Sequence, residues 1–326
     1  MNINQDWQKQ LPYDPIPVLL ASGNQAIIYF TRRDLMCGTP EPIQSLWEIP
    51  EAVKILRRQQ VDGSWKYPGK DADPNSEQNY NQLETFRNLG ELVEKYGLNS
   101  DHPAVKTAAQ YLFSCQTEEG DFRGIYGTQY APNYSGAIME ILIKAGYYQE
   151  PGVDKGLYWL LSMRQTDGGW AAPLRTLAIC TEDAFANKKP LQPDRSKPSS
   201  HLMTGMVLRA FAAHPDHRHQ VQAIEAGKLL LSRFFKPDSY VDRRDASYWE
   251  RVSFPFWFTD IVSALDSLSK MGFTIDDPDI KAALERLART QLENGLFELK
   301  LLRTGDKDTV CWVSLAICRI FKGFFS

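Results

Sequence analysis

The chain has 326 residues, of which 43% are hydrophobic and 24% are charged. This is the composition of a folded globular protein, so intrinsic disorder is excluded as its general state. Asp and Glu number 40 against 37 Lys and Arg, which gives a net charge of −3. We therefore expect no nucleic-acid partner, because a nucleic-acid-binding surface needs a clustered excess of positive charge.

Three features bear on where the protein works. The sequence contains no run of ~18 apolar residues, so we predict no transmembrane segment. The N-terminal residues 1–6 have neither a basic start nor an apolar stretch, and they predict no secretory signal. The five cysteines are few and widely spaced, which indicates reduced thiols and a cytoplasmic protein.

The predicted elements alternate along the chain between apolar and amphipathic helices. Each amphipathic helix appears beside a proline, which suits the first helical turn because its missing N–H would be unpaired there. These prolines are Pro50, Pro103, Pro151, Pro215 and Pro278. The six apolar helices are predicted over residues 25–36, 78–95, 134–145, 200–213, 256–271 and 309–322. We expect the apolar set to be enclosed by the five amphipathic helices.

A short motif lies between the two helices of most pairs. It contains an acidic residue or Asn, then Gly, one further residue and an aromatic residue. Clear copies occupy residues 59–65, 116–122, 164–170 and 291–297, and a decayed copy ends at Tyr240. Glycine can adopt the left-handed conformation that closes a helix, and the aromatic ring can fill the gap between helix pairs. The motif is therefore interpreted as structural rather than catalytic.

The sequences Gln-Gln-Val-Asp-Gly-Ser-Trp at 59–65 and Gln-Thr-Asp-Gly-Gly-Trp at 165–170 resemble the QW repeat. That repeat marks the squalene/terpene cyclase and protein prenyltransferase β-subunit superfamily. In detail, residues 29–35 and 254–260 are most similar to prenyltransferase/squalene-cyclase-like repeat proteins. The resemblance covers about residues 20–322 and implies one all-α domain over 1–326. This domain is expected to be an α/α toroid of about six inner and five outer helices around an aromatic cavity.

Each motif leads into an inner helix, so the N-termini of the inner helices are expected to gather at one mouth of the ring. The resemblance implies that functional groups surround the cavity near this mouth. Six residues are predicted to line a substrate cavity: Tyr80, Tyr134, Phe254, Trp257, Cys311 and Trp312. Four polar residues are the catalytic candidates: Asp73, Asp260, Asp308 and His201.

The catalytic motifs of the superfamily are not intact. A class II cyclase protonates an alkene with an Asp of a D-x-D-D motif, in which neighbouring acids and burial keep one carboxyl protonated. The nearest match is Asp71-Ala-Asp73-Pro74, where Pro replaces the last Asp. No D-D-x-x-D occurs, so magnesium-assisted ionisation of a diphosphate is unsupported.

The zinc motif of the prenyltransferases is also altered. Asp308-Thr-Val-Cys311 has one residue too many between its two ligands, and His201 precedes the Cys instead of following it. The histidine-rich residues 214–219 have spacings that could bind a metal, but they are interpreted as a solvated loop. We therefore predict neither a metal nor a cofactor.

One insert interrupts the repeat. Residues 171–199 are longer than an ordinary loop, which suggests a lid or mobile flap, but a surface excursion with no function is the preferred interpretation.

Two functions are compatible with these features. The first is a cyclase- or prenyltransferase-like protein that binds or transforms an isoprenoid or another apolar small molecule. The second is a non-catalytic toroid scaffold for protein or ligand binding. Whether the protein is an enzyme stays open at this point, and the sequence identifies no protein partner.

Overall fold

A computed structural model describes residues 6–36, 38–69, 78–302 and 307–325. These residues are mostly helical. Their one sheet is a parallel pair of two-residue strands, β1 (Arg251–Val252) and β2 (Lys300–Leu301). The helices are α1 (Ile16–Leu20), α2 (Gln25–Phe30), α3 (Pro50–Leu56), α4 (Tyr80–Tyr96), α5 (Pro103–Ser114), α6 (Pro132–Leu142), α7 (Pro151–Ser162), α8 (Pro173–Thr176), α9 (Thr181–Ala186), α10 (His201–Ala213), α11 (Val221–Leu231), α12 (Ile261–Lys270), α13 (Pro278–Ala288) and α14 (Thr309–Phe325).

Six helices form a closed inner ring, which confirms the all-α toroid. In ring order they are α2, α4, α6, α10, α12 and α14, each in contact with the next, and α14 contacts α2. Outer helices pack against this ring: α1 on α2, α3 and α5 on α4, α7 on α6, and α11 on α10. Within the described ranges, no helix combines the length and the apolar character that crossing a bilayer requires.

Burial separates the two layers. Every residue of α6 is buried, whereas α5 buries only one face, made of Val105, Ala108, Ala109 and Leu112. This is the expected result for an apolar inner helix and an amphipathic outer helix.

Two predicted boundaries were wrong. Pro215 does not open a helix, because residues 214–219 form a compact turn and α11 begins only at Val221. The inner helix predicted from residue 256 begins at Ile261, because residues 253–258 cross the ring as a loop with a cis Phe254–Pro255 bond.

The repeated motif joins neighbouring helix pairs, which confirms its structural role. The backbone N–H of the closing aromatic donates to a hydroxyl on the following inner helix, as in Trp65 to Thr85 and Trp170 to Thr204. The side chain of Gln59 donates to the Ala104 carbonyl oxygen at the start of the next outer helix.

The last copy of the motif closes the ring. Gln291 donates to the Tyr13 carbonyl oxygen at 2.9 Å and accepts from the Tyr13 N–H at 3.0 Å. A residue near the start of the chain thus takes the place that the next outer helix holds in other repeats.

The backbone at position 63, in the first copy of the motif, requires glycine. Its φ is +87°, and a Cβ placed there would lie 2.2 Å from the Thr107 carbonyl oxygen. Both the left-handed backbone and the close approach of the neighbouring outer helix therefore require glycine.

The decayed copy uses a different aromatic residue. Tyr240 is half-buried and its hydroxyl donates to the Pro198 carbonyl oxygen. The buried ring is Trp249, whose Nε1 donates to the Lys236 carbonyl oxygen, as Trp65 Nε1 does to Ile55. The assignment of Tyr240 as the closing aromatic was therefore wrong.

Hydrogen bonds connect the insert at 171–199 to the rest of the ring. Gln129 Nε2 donates to the Asn187 carbonyl oxygen at 3.1 Å, and Gln165 Nε2 donates to the Asp194 carbonyl oxygen at 2.7 Å. Gln165 is the motif glutamine of its repeat, so the insert occupies the place of a neighbouring outer helix. These hydrogen bonds place the insert beside the mouth of the ring, and its role as a lid or flap stays a prediction.

Candidate functional site

A cavity of about 480 Å³, here called the mouth cavity, lies between the insert and the N-terminal ends of α6 and α10. Most of its lining is aromatic or aliphatic. The lining residues are Tyr126, Asn133, Tyr134, Ala172, Leu174, Arg175, Thr181, Phe185, Leu202, Met203, Val241, Asp242, Arg243, Tyr248 and Phe258.

The aromatic rings of this cavity pack on one another. Tyr126 meets Tyr134 edge to face at 5.3 Å between centroids, and it lies 6.0 Å from Phe185 of the insert helix α9. Burial raises the pKa of the Tyr126 phenol above its ordinary value, although a hydrogen bond with Asn133 opposes this effect. The phenol therefore stays protonated and uncharged at neutral pH.

Charged groups lie on one side of the mouth cavity. Arg175 makes a two-point contact with Asp242, in which Nη2 lies 2.7 Å from Oδ1 and Nε donates to Oδ2. Arg243 instead places its guanidinium 4.0 Å from the Phe258 ring centroid and 5.3 Å from that of Tyr248. The first arginine is neutralised by a carboxylate, and the second packs on aromatic faces.

A ladder of opposite charges crosses the centre of the ring. Lys144 Nζ lies 2.6 Å from Glu140 Oε1 and also donates to Glu94. Arg209 Nε donates to Glu140 Oε2 at 2.7 Å, and its Nη2 donates to the Trp257 carbonyl oxygen. Burial alone raises the pKa of Glu140, but the charges of Arg209 and Lys144 outweigh it and lower that pKa to about 2. The Glu140 carboxyl is therefore ionised at neutral pH.

A central cavity of about 370 Å³ remains beside this ladder. Residues of the 253–258 loop form its aromatic wall, and Trp257 lies 5.7 Å from Phe86 and 4.6 Å from the Arg87 guanidinium. Glu84, Glu91 and Glu140 line the other side. The ring centre is thus a mixture of aromatic and charged groups rather than the aromatic cavity that was expected.

The predicted cavity residues are distributed over both regions. Tyr134 lines the mouth cavity, whereas Phe254 and Trp257 line the central cavity. Trp312 is buried behind Phe254, with the two rings stacked at 5.4 Å. Tyr80 is half-buried and packs on Tyr67 at 5.0 Å. Cys311 is half-buried, and burial raises the pKa of its thiol.

The three polar candidates among the described residues lie at the N-terminal ends of separate inner helices. Asp260 caps the N-terminus of α12 in a reciprocal arrangement with Ser263, and burial raises its pKa to about 7. Asp308 accepts a hydrogen bond from Asn24 Nδ2 at 2.8 Å. His201 stacks on Trp249 at 4.6 Å between centroids. Asp73 lies outside the described residues, so its role stays a prediction.

The fold does not bring the three residues of the altered zinc motif together. His201 Nδ1 lies 3.4 Å from Asp238, on the side of Trp249, rather than beside Asp308 and Cys311. Burial lowers the pKa of His201, while the nearby Asp238 opposes that effect. The free thiols among the described cysteines are Cys115, Cys180, Cys311 and Cys318.

Two histidines of the 214–219 segment are buried, so the expectation of a solvated loop was wrong for them. His214, His217 and Asp154 bring three possible metal-binding atoms within 4.8 Å of one another. Their nitrogens, however, already have partners. His217 Nε2 lies 2.8 Å from Asp154 Oδ1, and Gln220 lies 2.7 Å from His217 Nδ1.

The tautomer of His214 argues against a metal at this cluster. Its Nδ1 accepts from the backbone N–H groups of Asp216 and His217, which places the ring proton on Nε2. Nε2 then donates to the Tyr148 carbonyl oxygen at 3.0 Å. A metal at Nε2 would have to displace this proton from a neutral ring, so the geometry fits a hydrogen-bonded structural cluster.

Sequence reasoning identified Tyr134 but missed the other residues of the mouth cavity, among them Asn133, Phe185 and Arg243. Asn133 follows the proline at the start of α6, and this position was the one available signal for it. Phe185 belongs to the insert and Arg243 to the decayed repeat, where no motif identifies either residue.

Comparison with known proteins supports the superfamily that the QW repeat indicated. The family model of the squalene-hopene cyclase C-terminal domain matches residues 72–176. The squalene–hopene cyclase of Zymomonas mobilis is 27% identical over 88 residues. That match covers 27% of this chain and 13% of the relative, so the matched segment is a small part of that enzyme.

The solved structures that resemble this chain have low sequence identity and TM-scores below 0.5. A variant of the type II terpene cyclase MstE from Scytonema, in complex with geranylgeranyl dihydroxybenzoate, is 14% identical with a TM-score of 0.45. The similarity covers 95% of this chain and 98% of that one. A protein from Actinoplanes is 14% identical with a TM-score of 0.41, over 86% and 87% of the two chains.

Proposed function

We propose that this terpenoid cyclase-like protein binds an apolar, isoprenoid-like small molecule in the mouth cavity. The observation that carries the proposal is the lining of the cavity, where Tyr126, Tyr134 and Phe185 face the aliphatic side chains of α10. The curated relative is by name a squalene–hopene cyclase, and this name makes an isoprenoid hydrocarbon chain the natural class of ligand.

The binding energy would come from burial of the hydrocarbon chain. Each CH₂ group removed from water contributes about 0.8 kcal/mol. Aromatic side chains that already pack on one another, such as Tyr126 and Tyr134, lose little freedom when a ligand covers them. A preformed, mostly apolar cavity with a few polar groups is the usual form of a small-molecule site.

We favour binding over cyclisation as the function of the mouth cavity. Protonation of an alkene needs a neutral carboxyl group, whereas Asp242 is paired with Arg175 and acts as an acceptor. Asp260 has a raised pKa of about 7, but it accepts the hydrogen bond that caps α12. Asp73 remains a proposed proton donor, and the cytoplasmic location remains a prediction.

The test is calorimetric titration with farnesol, with one variant for each cavity. Met203→Trp fills the mouth cavity, and we expect farnesol affinity to fall by about tenfold or more. Gly90→Leu is the matched control, because Gly90 lines the central cavity and the nearest atom to an added Cβ, Ile141 Cδ1, is 3.8 Å away. We expect Gly90→Leu to bind farnesol like the wild type.

The reverse result would place the ligand in the central cavity and contradict the proposal. A failure of the wild type to bind would favour the non-catalytic scaffold. Mass spectrometry of the molecule recovered after incubation separates binding from catalysis, because an unchanged probe has only been bound.

A further inference from the structure

We infer that the ligand of the mouth cavity carries an anionic head group, a carboxylate or a phosphate monoester, which Arg243 binds. This inference rests on the proposed function, because it concerns the polar end of the same molecule. It starts from the charges and the hydrogen-bonding groups that line the cavity.

The two arginines of the cavity differ in their partners. Arg175 is matched by Asp242 through two hydrogen bonds. Arg243 is half-buried, and no carboxylate among the described residues pairs with it; its contacts are the rings of Phe258 and Tyr248. A partly buried guanidinium is stabilised by an opposite charge, and its planar set of donors matches a carboxylate or a phosphate.

The backbone holds this guanidinium in a defined place. Arg243 has a φ of +55°, a left-handed conformation that is unfavourable for a residue with a side chain. Packing against Phe258, at 4.0 Å from its centroid, compensates for this conformation and fixes the direction of the side chain. The cation is therefore positioned before any ligand arrives.

A second side chain independently indicates a polar ligand group. Asn133 is only 1% exposed and lines the mouth cavity, yet its Oδ1 accepts no hydrogen bond from the described residues. A buried carbonyl oxygen normally has a donor. A hydroxyl group near the anionic end of the ligand would supply it.

Three probes with the same hydrocarbon chain test the head group: farnesyl monophosphate, farnesoic acid and farnesol. We expect the wild type to bind at least one anionic probe about tenfold or more tightly than farnesol at low salt. Comparison of the two anionic probes identifies the preferred head group. R243Q removes the charge and should abolish the preference, because affinity for the anionic probes should fall much more than affinity for farnesol. R243K keeps the charge and should retain part of the preference.

Arg87→Gln is the matched control. Arg87 also lies over an aromatic ring, that of Trp257 at 4.6 Å, but it lines the central cavity. We expect this variant to keep the wild-type preference for the anionic probes.

The outcomes separate this inference from the proposed function. Farnesol binding without any preference for the anionic probes overturns the head-group assignment and leaves the apolar site intact. A preference that survives R243Q overturns it as well. If no probe binds to the wild type, the proposed function and the head-group assignment fail together. Asn133→Leu should weaken farnesol binding by about fivefold, and an unchanged affinity would remove Asn133 from the site.

Discussion

The ring centre and the mouth cavity both contain arginine side chains, but these side chains have different partners in the two regions. At the centre, Arg209 and Lys144 are paired with the carboxylates of Glu140 and Glu94, although Nη1 of Arg209 has no hydrogen-bond partner among the described residues. In the mouth cavity, Arg243 meets only aromatic rings among the described residues. We infer from this contrast that a cation paired with a buried carboxylate serves the fold, whereas a cation without a carboxylate partner is available to a ligand.

The direction of the inner helices adds to this contrast. Lys95, Lys270 and Lys322 lie in the last turns of α4, α12 and α14, where cations complement the negative ends of helix dipoles. The mouth cavity lies at the opposite, N-terminal ends, where the dipoles favour an anion. The two ends of the ring are therefore electrostatically distinct.

The largest expected effect tests the ladder at the ring centre. Arg209→Met leaves Glu140 with Lys144 as its remaining cation in a buried position, and we expect the free energy of unfolding to fall by about 3–5 kcal/mol. Urea denaturation measures this loss. The control is Arg175→Met in the mouth cavity, where the pair is more exposed and the loss should be about 0–1 kcal/mol. Equal losses in the two variants would remove the distinction between the regions.

The pH dependence of stability provides a second test of the ladder at the ring centre. The pKa of Glu140 is about 2 in the folded protein against an ordinary value of 4.5. A lowered folded-state pKa contributes stability that is present above pH 4.5 and lost as pH falls toward 2. We expect Glu140→Gln to be less stable at neutral pH but to show a shallower loss in this window. Denaturant titrations at several pH values provide the measurement, and parallel curves for both proteins would contradict the assignment.

An effect of opposite sign is expected at Asp260. Burial raises the pKa of this carboxyl from 3.8 to about 7. A raised folded-state pKa gives stability that is present below pH 3.8 and lost as pH rises toward 7. Asn caps helices as well as Asp does, so Asp260→Asn should gain stability relative to the wild type across this range. A constant difference between the two proteins from pH 4 to 7 would show that Asp260 does not titrate there.

Local signals in the sequence were sufficient for most of the helix pairs. Pro50, Pro103, Pro151 and Pro278 each begin a helix, because proline is tolerated in the first turn wherever the chain starts one. The helix predicted from Pro215 does not form, because His214 and His217 hold the following turn through contacts with α7 and the segment before it. These partners lie far away in the sequence. At this position the tertiary contacts outweigh the local helix propensity.

The candidate site was much less predictable than the fold. Of the residues that line the mouth cavity, Tyr134 was identified in advance from its position at the start of an inner helix. Phe185 and Arg243 belong to an insert and a decayed repeat, so no periodicity marks them. Trp249 was missed for the same reason, since it replaces the motif aromatic from a different position in the chain.

The two layers of helices and the turns between them are predictable from the sequence, because both depend on residues close together in the chain. Helical periodicity separates buried from exposed faces, and the Gly-containing motif fixes each turn. Only the tertiary structure decided which side chains meet. Asn133 and Arg243 share a cavity, and Arg209 finds Glu140, because closure of the ring brings α6 and α10 side by side and positions the neighbouring loops around them. Such contacts depend on the path of the whole chain, which short-range patterns do not specify.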